Sequence, residues 1–366
     1  MSDSQPRSQP RSQPHGGSTG VLSLEVACAA APDAGDARLL GAVWHSDVVL
    51  AGGASAGVDI QIAMSPLPAE AATGDQAGGV MEQWRVSGAV REGVRGPARY
   101  RCTDDLLFVA ITLAEQSGER PREVARDIAA AAQQAYTTLF DVMAAEGFGH
   151  LVRCWNYFAD INRHQANQLG TLERYRLFNI GRQAAFEASE HSADVGAPAA
   201  CALGTQGGPL TVYALAARQA PRCVENPRQV SAYRYPERYG PKSPSFSRGS
   251  VLSDAKGGQV LFVSGTASIV GHESVHLGDV VAQTEESLRN IVTVVAEANR
   301  GLGRDAFSSH KLCYKVFVRR PEDALMVADT VHRVLGSEGE TINMVVLRAD
   351  VCRAELLVEI EAVGFA

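Results

Sequence analysis

The sequence predicts an α/β fold made of two similar halves, each a mixed sheet with two helices on one face. The same order of elements (strand, helix, strand, helix, strand, strand) occurs twice along the 366 residues. An internal repeat indicates topology even where the two copies share little identity. A sheet of apolar strands has to be covered on both faces, and helices with one apolar stripe can cover one of these faces.

The first copy of the repeat begins with residues 106–113, LLFVAITL, an apolar run typical of a buried strand. Apolar residues recur at helical spacing between residues 122 and 147 and predict the first helix. A strand is expected over 150–162 and a second helix over 174–189. Two further strands, within 199–217, complete this half.

The second copy begins with residues 260–267, VLFVSGTA, which match the first apolar run in length and character. A helix follows over 278–299, with one apolar stripe. The segment 310–320 predicts a strand, and 321–336 predicts the second helix. Two strands within 342–363 close the second half, so the two halves correspond element by element.

The chain divides into three parts. Residues 1–20 repeat SQPR and lack an apolar core, which predicts a disordered tail and not a signal peptide. Residues 21–220 hold the first half, and residues 221–366 hold a connector and the second half. The connector, 221–249, is rich in Pro, Ser, Tyr and Arg. A connector of this length is usually functional or disordered, and its aromatic and Arg content disfavours disorder.

Composition excludes several classes of function. The net charge of -7 offers no bulk attraction for nucleic acid or anionic lipid, so no nucleic-acid partner is expected. The seven cysteines are scattered without CxxC pairs, which indicates free thiols in a reducing cytoplasm. No run approaches about 18 uninterrupted apolar residues, so no membrane span is predicted.

A pair of carboxylates lies in an apolar strand near the end of the chain. In LLVEIEAV, residues 356–363, Glu359 and Glu361 are two residues apart and therefore point to the same face. Either that face meets water, or one of the two carboxylates lies in a pocket. Burial raises the pKa of a carboxyl group, which would make such a residue a general acid near neutral pH. The alternative is a solvent-facing Glu at a strand end.

Five segments, taken in order, resemble one family: NYFADIN, RYRLFNIGR, PRQVSAYRYPERYGPKSPSFSRG, FVSGTAS and LLVEIEA. They are similar to segments of the chorismatases, and the second half alone resembles the Rid (YjgF-like) proteins with their chorismate-mutase-like fold. The resemblance extends over about residues 100–366. It implies two fused Rid-like halves, of which the first is degenerate and non-catalytic and the second holds the active site.

The resemblance implies conversion of chorismate to pyruvate and a seven-carbon ring acid, without cofactor or metal, in secondary-metabolite biosynthesis. Glu359 matches the family's general acid. Gly265 and Cys352 match the branch that forms 3-hydroxybenzoate, whereas the branch that forms 3,4-dihydroxycyclohexa-1,5-diene-1-carboxylate is alanine-like at both positions. Two alternatives stay open: a hydrolase forming that diene diol, and a Rid-type module that binds ligands or hydrolyses enamines.

Chorismate carries two carboxylates, and an acidic protein must bind them with well-placed cations. RYRLFNIGR places Tyr175, Phe178 and Arg182 on one helix face. Arg248, in SPSFSRG, occupies the position that forms the mouth of the pocket in Rid-like proteins. An amphipathic helix with a snorkelling Arg, and a loop Arg that caps a helix, are the structural alternatives.

Three tyrosines are further candidates for substrate contact. Tyr213 aligns near the repeat counterpart of Glu359, so it could bind substrate across the interface of the two halves or be ordinary core. Tyr235 and Tyr239, in the connector, are weaker candidates. Because fusion supplies each half with its neighbour, we expect a monomer with intramolecular packing like that of a Rid trimer.

Cys352 and the histidines predict neither covalent nor metal chemistry. No His follows Cys352, so we expect this thiol to shape the pocket beside the ring and not to act as a nucleophile. His272 and His276 have HxxxH spacing, but the segment around them is loop-like and offers no further ligands. No metal site is predicted.

Overall fold

The computed structural model describes residues 15–19, 21–29, 38–46, 60–69, 78–115, 127–167, 170–189, 196–254, 256–336 and 341–366. These residues form three large sheets, two short hairpins and four α-helices. The predicted tail, residues 1–20, lies mostly outside the described residues. Its residues 15–18 form a strand, so this part of the tail is ordered and pairs with the sheet that follows.

The first sheet precedes the repeat and has no counterpart in the sequence-based prediction. Its strands are β1 (His15–Ser18), β2 (Leu22–Ala29), β3 (Leu39–His45), β4 (Ile60–Ile62) and, after the short β5 (Pro66–Leu67), β6 (Gly79–Val86). The order across the sheet is β1-β2-β6-β3-β4. The segment predicted as one first half, residues 21–220, therefore contains this sheet in addition to a Rid-like half.

The second sheet is the first copy of the repeat. Its elements are β7 (Arg91–Arg95), β8 (Ala98–Cys102), β9 (Leu106–Leu113), α1 (Ile128–Glu146), β10 (His150–Ala159), the hairpin β11 (His164–Asn167) and β12 (Gly170–Glu173), α2 (Arg174–Glu187), β13 (Ala199–Thr205) and β14 (Leu210–Ala217). The order is β13-β10-β14-β9-β8-β7, with β10 and β13 parallel. The predicted helix over 122–147 begins at Ile128, capped by the side chain of Asp127, and residues 116–126 lie outside the described part.

The third sheet is the second copy. Its elements are β15 (Arg222–Val224), β16 (Gly249–Ser253), β17 (Gln259–Ala267), the hairpin β18 (Ile269–Val270) and β19 (Glu273–Ser274), α3 (Val280–Leu302), β20 (Cys313–Val318), α4 (Ala324–Leu335), β21 (Met344–Arg348) and β22 (Val358–Phe365). The order is β15-β16-β17-β22-β20-β21-β5, with β20 and β21 parallel. Read from its other edge and without β5, an added edge strand from before the repeat, this order matches that of the second sheet strand by strand, which confirms the predicted fold class.

Alternation along β9 shows how each half divides its two faces. Leu107, Val109 and Ile111 pack with α1 and α2 in one core, whereas Phe108 and Ala110 point the other way. The faces without helices, from all three sheets, meet in a central core. The first sheet thus covers the apolar faces of the two halves that carry no helices.

Candidate active site

A cavity of about 410 Å³ lies between the two halves of the repeat. Its walls come from α2, the hairpin β11–β12, the connector, β17, β22 and the loop between β21 and β22. A smaller chamber of about 40 Å³ adjoins it on the side of α2 and β13. Tyr175, Phe246, Gly265, Cys352 and Glu359 line both spaces, so the two form one site with an outer and an inner part.

Glu359 lies where the two parts of the cavity meet, near the start of β22, and its side chain is almost fully buried. Its carboxyl has one polar side-chain contact within the described part of the chain, a weak one with the thiol of Cys352 at 4.0 Å from Oε2. Burial, reinforced by the negative charge of Glu361, raises the pKa of Glu359 to about 8. A carboxyl in this state is protonated at neutral pH and can donate a proton to a bound molecule.

Glu361 points to the same face as Glu359 but has the opposite electrostatic environment. It is buried, which corrects the alternative that it faces solvent. Its carboxylate contacts Arg153 Nη2 at 2.5 Å, Lys315 Nζ at 2.7 Å and Trp155 Nε1 at 2.9 Å. Burial alone would raise the pKa of Glu361, but the two cations outweigh it and lower that pKa. Glu361 is therefore an ionised, supporting residue.

Gly265 and Cys352 lie at different oxygens of the Glu359 carboxyl. A Cβ atom at position 265 would overlap Glu359 Oε1 and would lie 2.9 Å from Cβ of Cys201. The thiol of Cys352 is on the side of Oε2. Burial raises the pKa of Cys352, so this thiol is neutral and weakly polar, as expected for a residue that shapes the site.

Arg182 and Tyr175 line the inner chamber from one face of α2, as their spacing predicted. The Arg182 side chain is buried between the rings of Tyr136 and Phe186, and its Nη1 donates to the carbonyl of Ser245 at 2.8 Å. Its Nε and Nη2 have no hydrogen-bond partner among the described residues. A buried guanidinium with free donors is suited to a carboxylate ligand.

Arg248 lies in the wall of the outer cavity, where the resemblance placed it. Its Nη2 donates to the carbonyl of Val230 and to the hydroxyl of Tyr235, each at 2.8 Å. The connector thus folds over the site, and Tyr235 and Tyr239 line the cavity. Arg353 lies 4.1 Å from the ring centroid of Tyr239 and adds a second cation to the same wall.

Tyr213 does not belong to this site. The pairing of β14 with β9 and of β22 with β17 makes Tyr213 equivalent to Glu361, two residues beyond the predicted counterpart Glu359. Its hydroxyl lies 3.2 Å from both Glu82 Oε2 and Lys315 Nζ in the central core, and it lines neither part of the cavity. Alignment of two short apolar strands by sequence does not fix their register to within two residues, so this difference was missed.

Other cationic residues of the site were missed by sequence reasoning. Arg176, Arg238 and Arg353 line the outer cavity. Arg353 immediately follows Cys352, and Arg176 immediately follows Tyr175, so proximity to the predicted residues was the available signal. Among the described residues no group of His, Cys, Asp and Glu could hold a metal ion, and His272 contacts Arg238 and Tyr239.

Comparison with known proteins agrees with this geometry. A family model described as chorismatase FkbO/Hyg5-like, N-terminal, matches residues 82–216. A 3-hydroxybenzoate synthase of Streptomyces hygroscopicus is 41% identical over 64% of this chain and 68% of its own length. A chorismatase of Streptomyces rapamycinicus is 39% identical over 77% and 81%, respectively.

A solved structure agrees as well. The crystal structure of a chorismatase has a TM-score of 0.78 and 30% identity, and the match covers 95% of this chain and 99% of that one. The architecture and these relatives together define an enzyme with two Rid-like halves. The chain belongs to the chorismatase family.

Proposed function

We propose that the protein is a chorismate lyase that forms 3-hydroxybenzoate and pyruvate. The observation that carries this proposal is Glu359, a carboxyl with a pKa of about 8 that borders the cavity together with Gly265 and Cys352. Cleavage of the enol ether requires a proton on its terminal methylene carbon, and carbon is a poor proton acceptor. A buried, protonated carboxyl supplies that proton near neutral pH.

The division of the cavity favours one orientation of the substrate. The methylene that receives the proton and the pyruvyl carboxylate are attached to the same carbon, so both must lie near Glu359. The inner chamber beside Glu359 is too small for the ring but offers the free donors of Arg182. The pyruvyl group therefore enters the inner chamber, and the ring carboxylate meets Arg248 or Arg353 in the outer cavity.

Atom balance constrains the step after protonation. Removal of pyruvic acid from chorismic acid, with no water added, leaves the atoms of hydroxybenzoic acid. The C4 hydroxyl attacks C3 and displaces pyruvate, which gives an arene oxide that rearomatises by a hydrogen shift to 3-hydroxybenzoate. The route excludes water from C3, and the neutral thiol of Cys352 in the inner chamber holds water poorly.

The second half supplies the acid, and the first half supplies Arg182 and part of the cavity wall. α2, β13 and the hairpin β11–β12 come from the first half, whose position equivalent to Glu359 is Thr211, a residue that cannot act as a carboxylic acid. Because three sheets already enclose the central core, we include in the proposal that the chain works as a monomer. A cytoplasmic location is supported by the six cysteines whose side chains the structure describes, all of which are free. No helix among the described residues is long and apolar enough to cross a membrane.

The test is incubation of the purified protein with chorismate, followed by chromatography of the ring product and enzymatic measurement of pyruvate. We expect equal amounts of pyruvate and 3-hydroxybenzoate without added metal or cofactor. If pyruvate forms together with the diene diol as main ring product, the site cleaves chorismate but the assignment of 3-hydroxybenzoate as product is wrong. Absence of pyruvate would contradict the proposal as a whole.

A further inference from the structure

The thiol beside the acid is held on a loop. Residues 349–357 connect β21 to β22 and contain both Cys352 and Arg353, which line the cavity; we call this segment the Cys352 loop. Its only ladder contact is an isolated bridge at Asp350. A loop has no regular backbone hydrogen bonds to fix its side chains, so other groups must hold Cys352 beside Glu359.

Arg319 supplies that support from the end of β20. Its side chain donates to three backbone carbonyls of the Cys352 loop: Nε to Leu356 at 2.8 Å, and Nη2 to Val351 and Arg353, each at 3.0 Å. Its Nη1 forms an ion pair with Asp350 at 2.7 Å. The carbonyls on either side of Cys352 thus share a single nitrogen, which fixes the backbone at the thiol.

The same guanidinium connects the loop to the first half. Nη2 also donates to Asn162 Oδ1 at 3.1 Å, and Asn162 Nδ2 donates to Glu173 Oε1 at 3.0 Å. Both Asn162 and Glu173 line the outer cavity. The amide and carbonyl of Asp350 pair with Gly204 at the end of β13. Arg319 therefore sets the position of the loop relative to both halves.

We propose that Arg319 is a positioning residue for Cys352 and, through the Cys352 loop, controls which product forms. This inference rests on the proposed function, because product choice depends on what lies beside the reacting carbon atoms. The fork geometry of Arg is required, since an ammonium group has three donors at one point and cannot span contacts from Leu356 to Asn162. Loss of the fork lets the loop move away from Glu359 and admits water.

The first test is Arg319→Lys, which keeps the charge and removes the fork. We expect the ratio of 3-hydroxybenzoate to diene diol to fall by about tenfold, the scale of losing one or two hydrogen bonds to a charged group. Arg320→Lys is the matched control, because the one hydrogen bond of the neighbouring Arg320 side chain within the described part of the chain is to Asp323, and it does not reach the Cys352 loop. This control should keep the wild-type product ratio.

The second test needs no substrate. Alkylation of Cys352 by iodoacetamide, followed by peptide mass spectrometry with Cys223 as internal reference, measures access to the loop thiol. We expect Arg319→Lys to raise the relative rate at Cys352 by about tenfold. If the wild type fails to cleave chorismate, the proposed function is wrong, and this measurement still decides whether Arg319 positions the thiol.

Asn162→Ala provides the test should Arg319→Lys not fold. It removes one acceptor of the guanidinium and should shift the product ratio in the same direction by about threefold, the effect of one modest hydrogen bond. An unchanged product ratio together with an unchanged alkylation rate, in either folded variant, would overturn the inference. Such a result would make Arg319 a purely structural residue.

Discussion

Glu359 and Glu361 show how two identical side chains, two residues apart, acquire opposite roles. Both are buried, yet Glu361 has Arg153 and Lys315 within 2.7 Å, whereas Glu359 has no cation at that distance among the described residues. Pairing lowers the pKa of Glu361, whereas burial beside that charge raises the pKa of Glu359. The chemistry of each carboxylate is therefore set by its partners and not by its position on the strand.

The first prediction concerns Glu359→Gln, which keeps the shape of the side chain but cannot act as an acid. We expect kcat to fall by at least about a hundredfold, the usual scale for general acid catalysis, with KM changed little. The control is the free energy of unfolding, measured as a function of pH. The pKa of Glu359 is about 8 in the folded protein and has its ordinary value of 4.5 in the unfolded chain, so the folded protein loses stability as pH rises through this interval. The Gln variant lacks this loss and should be at least as stable as wild type at pH values near 8. Wild-type turnover in the variant would assign the acid elsewhere.

The second prediction is the pH dependence of kcat/KM. Because the acid must be protonated, kcat/KM should fall above about pH 8, which is the pKa of Glu359 in the enzyme without substrate. Glu361→Gln removes a negative charge that raises this pKa and leaves Arg153 and Lys315 in excess. The alkaline limb of the pH profile of kcat/KM should therefore move to lower pH. Glu297, which is half-buried and paired with the exposed Arg300, offers the control, since Glu297→Gln should leave the limb in place. If the alkaline limb does not move in Glu361→Gln, the charge of Glu361 does not raise the pKa of Glu359.

At the scale of elements, β17 and the Cys352 loop hold the acid between them. A methyl group at position 265 would overlap Oε1 of Glu359 and would lie 2.9 Å from Cβ of Cys201, so the carboxyl must move and β17 must also shift slightly from β13. Movement away from Gly265 brings the carboxyl toward the sulfur of Cys352. Gly265 and Cys352 therefore jointly determine the position of the Glu359 carboxyl.

The third prediction follows from this joint effect of Gly265 and Cys352 on Glu359. Gly265→Ala alone should reduce kcat/KM strongly, because the displaced carboxyl meets Cys352. Gly265→Ala combined with Cys352→Ala should recover at least about tenfold of this loss, as expected for residues that contact a shared partner, and should shift the product toward the diene diol. Additive losses in the double-mutant cycle, with 3-hydroxybenzoate still the main product, would contradict this coupling.

The elements of the repeat could be predicted from sequence, whereas several contacts of the site could not. Apolar runs and helical stripes located β9, α1, β17 and α3, because each pattern is local. The sheet formed by residues 15–86 was missed, since it lacks helices and has no copy in the chain. Tyr213 was matched to the wrong glutamate because two short apolar strands do not fix their register by sequence, and Arg319 contacts backbone carbonyls, which leave no signature in sequence.

At the scale of the whole molecule, one buried cluster joins all three sheets. Lys315 Nζ, from the third sheet, lies 2.7 Å from Glu361 and 2.7 Å from Glu82 of the first sheet. Arg153 and Tyr213, from the second sheet, complete the contacts. Buried charges need partners, and those of this cluster come from all three sheets, so its ion pairs form only when the three sheets dock in one arrangement.

The last prediction separates this structural cluster from the catalytic site. Lys315→Met leaves Glu82 and Glu361 without their shared cation and should lower the free energy of unfolding by about 3–5 kcal/mol, the cost of breaking a buried ion pair. Tyr213→Phe removes one hydroxyl and keeps the ring stacked on Trp155, so it should cost only about 1 kcal/mol. Because the hydroxyl of Tyr213 is remote from the cavity wall, kcat/KM for chorismate should be unchanged in Tyr213→Phe. Denaturant unfolding and steady-state kinetics on both variants check this. A Tyr213→Phe variant with wild-type stability and a raised KM would place its hydroxyl on the substrate after all.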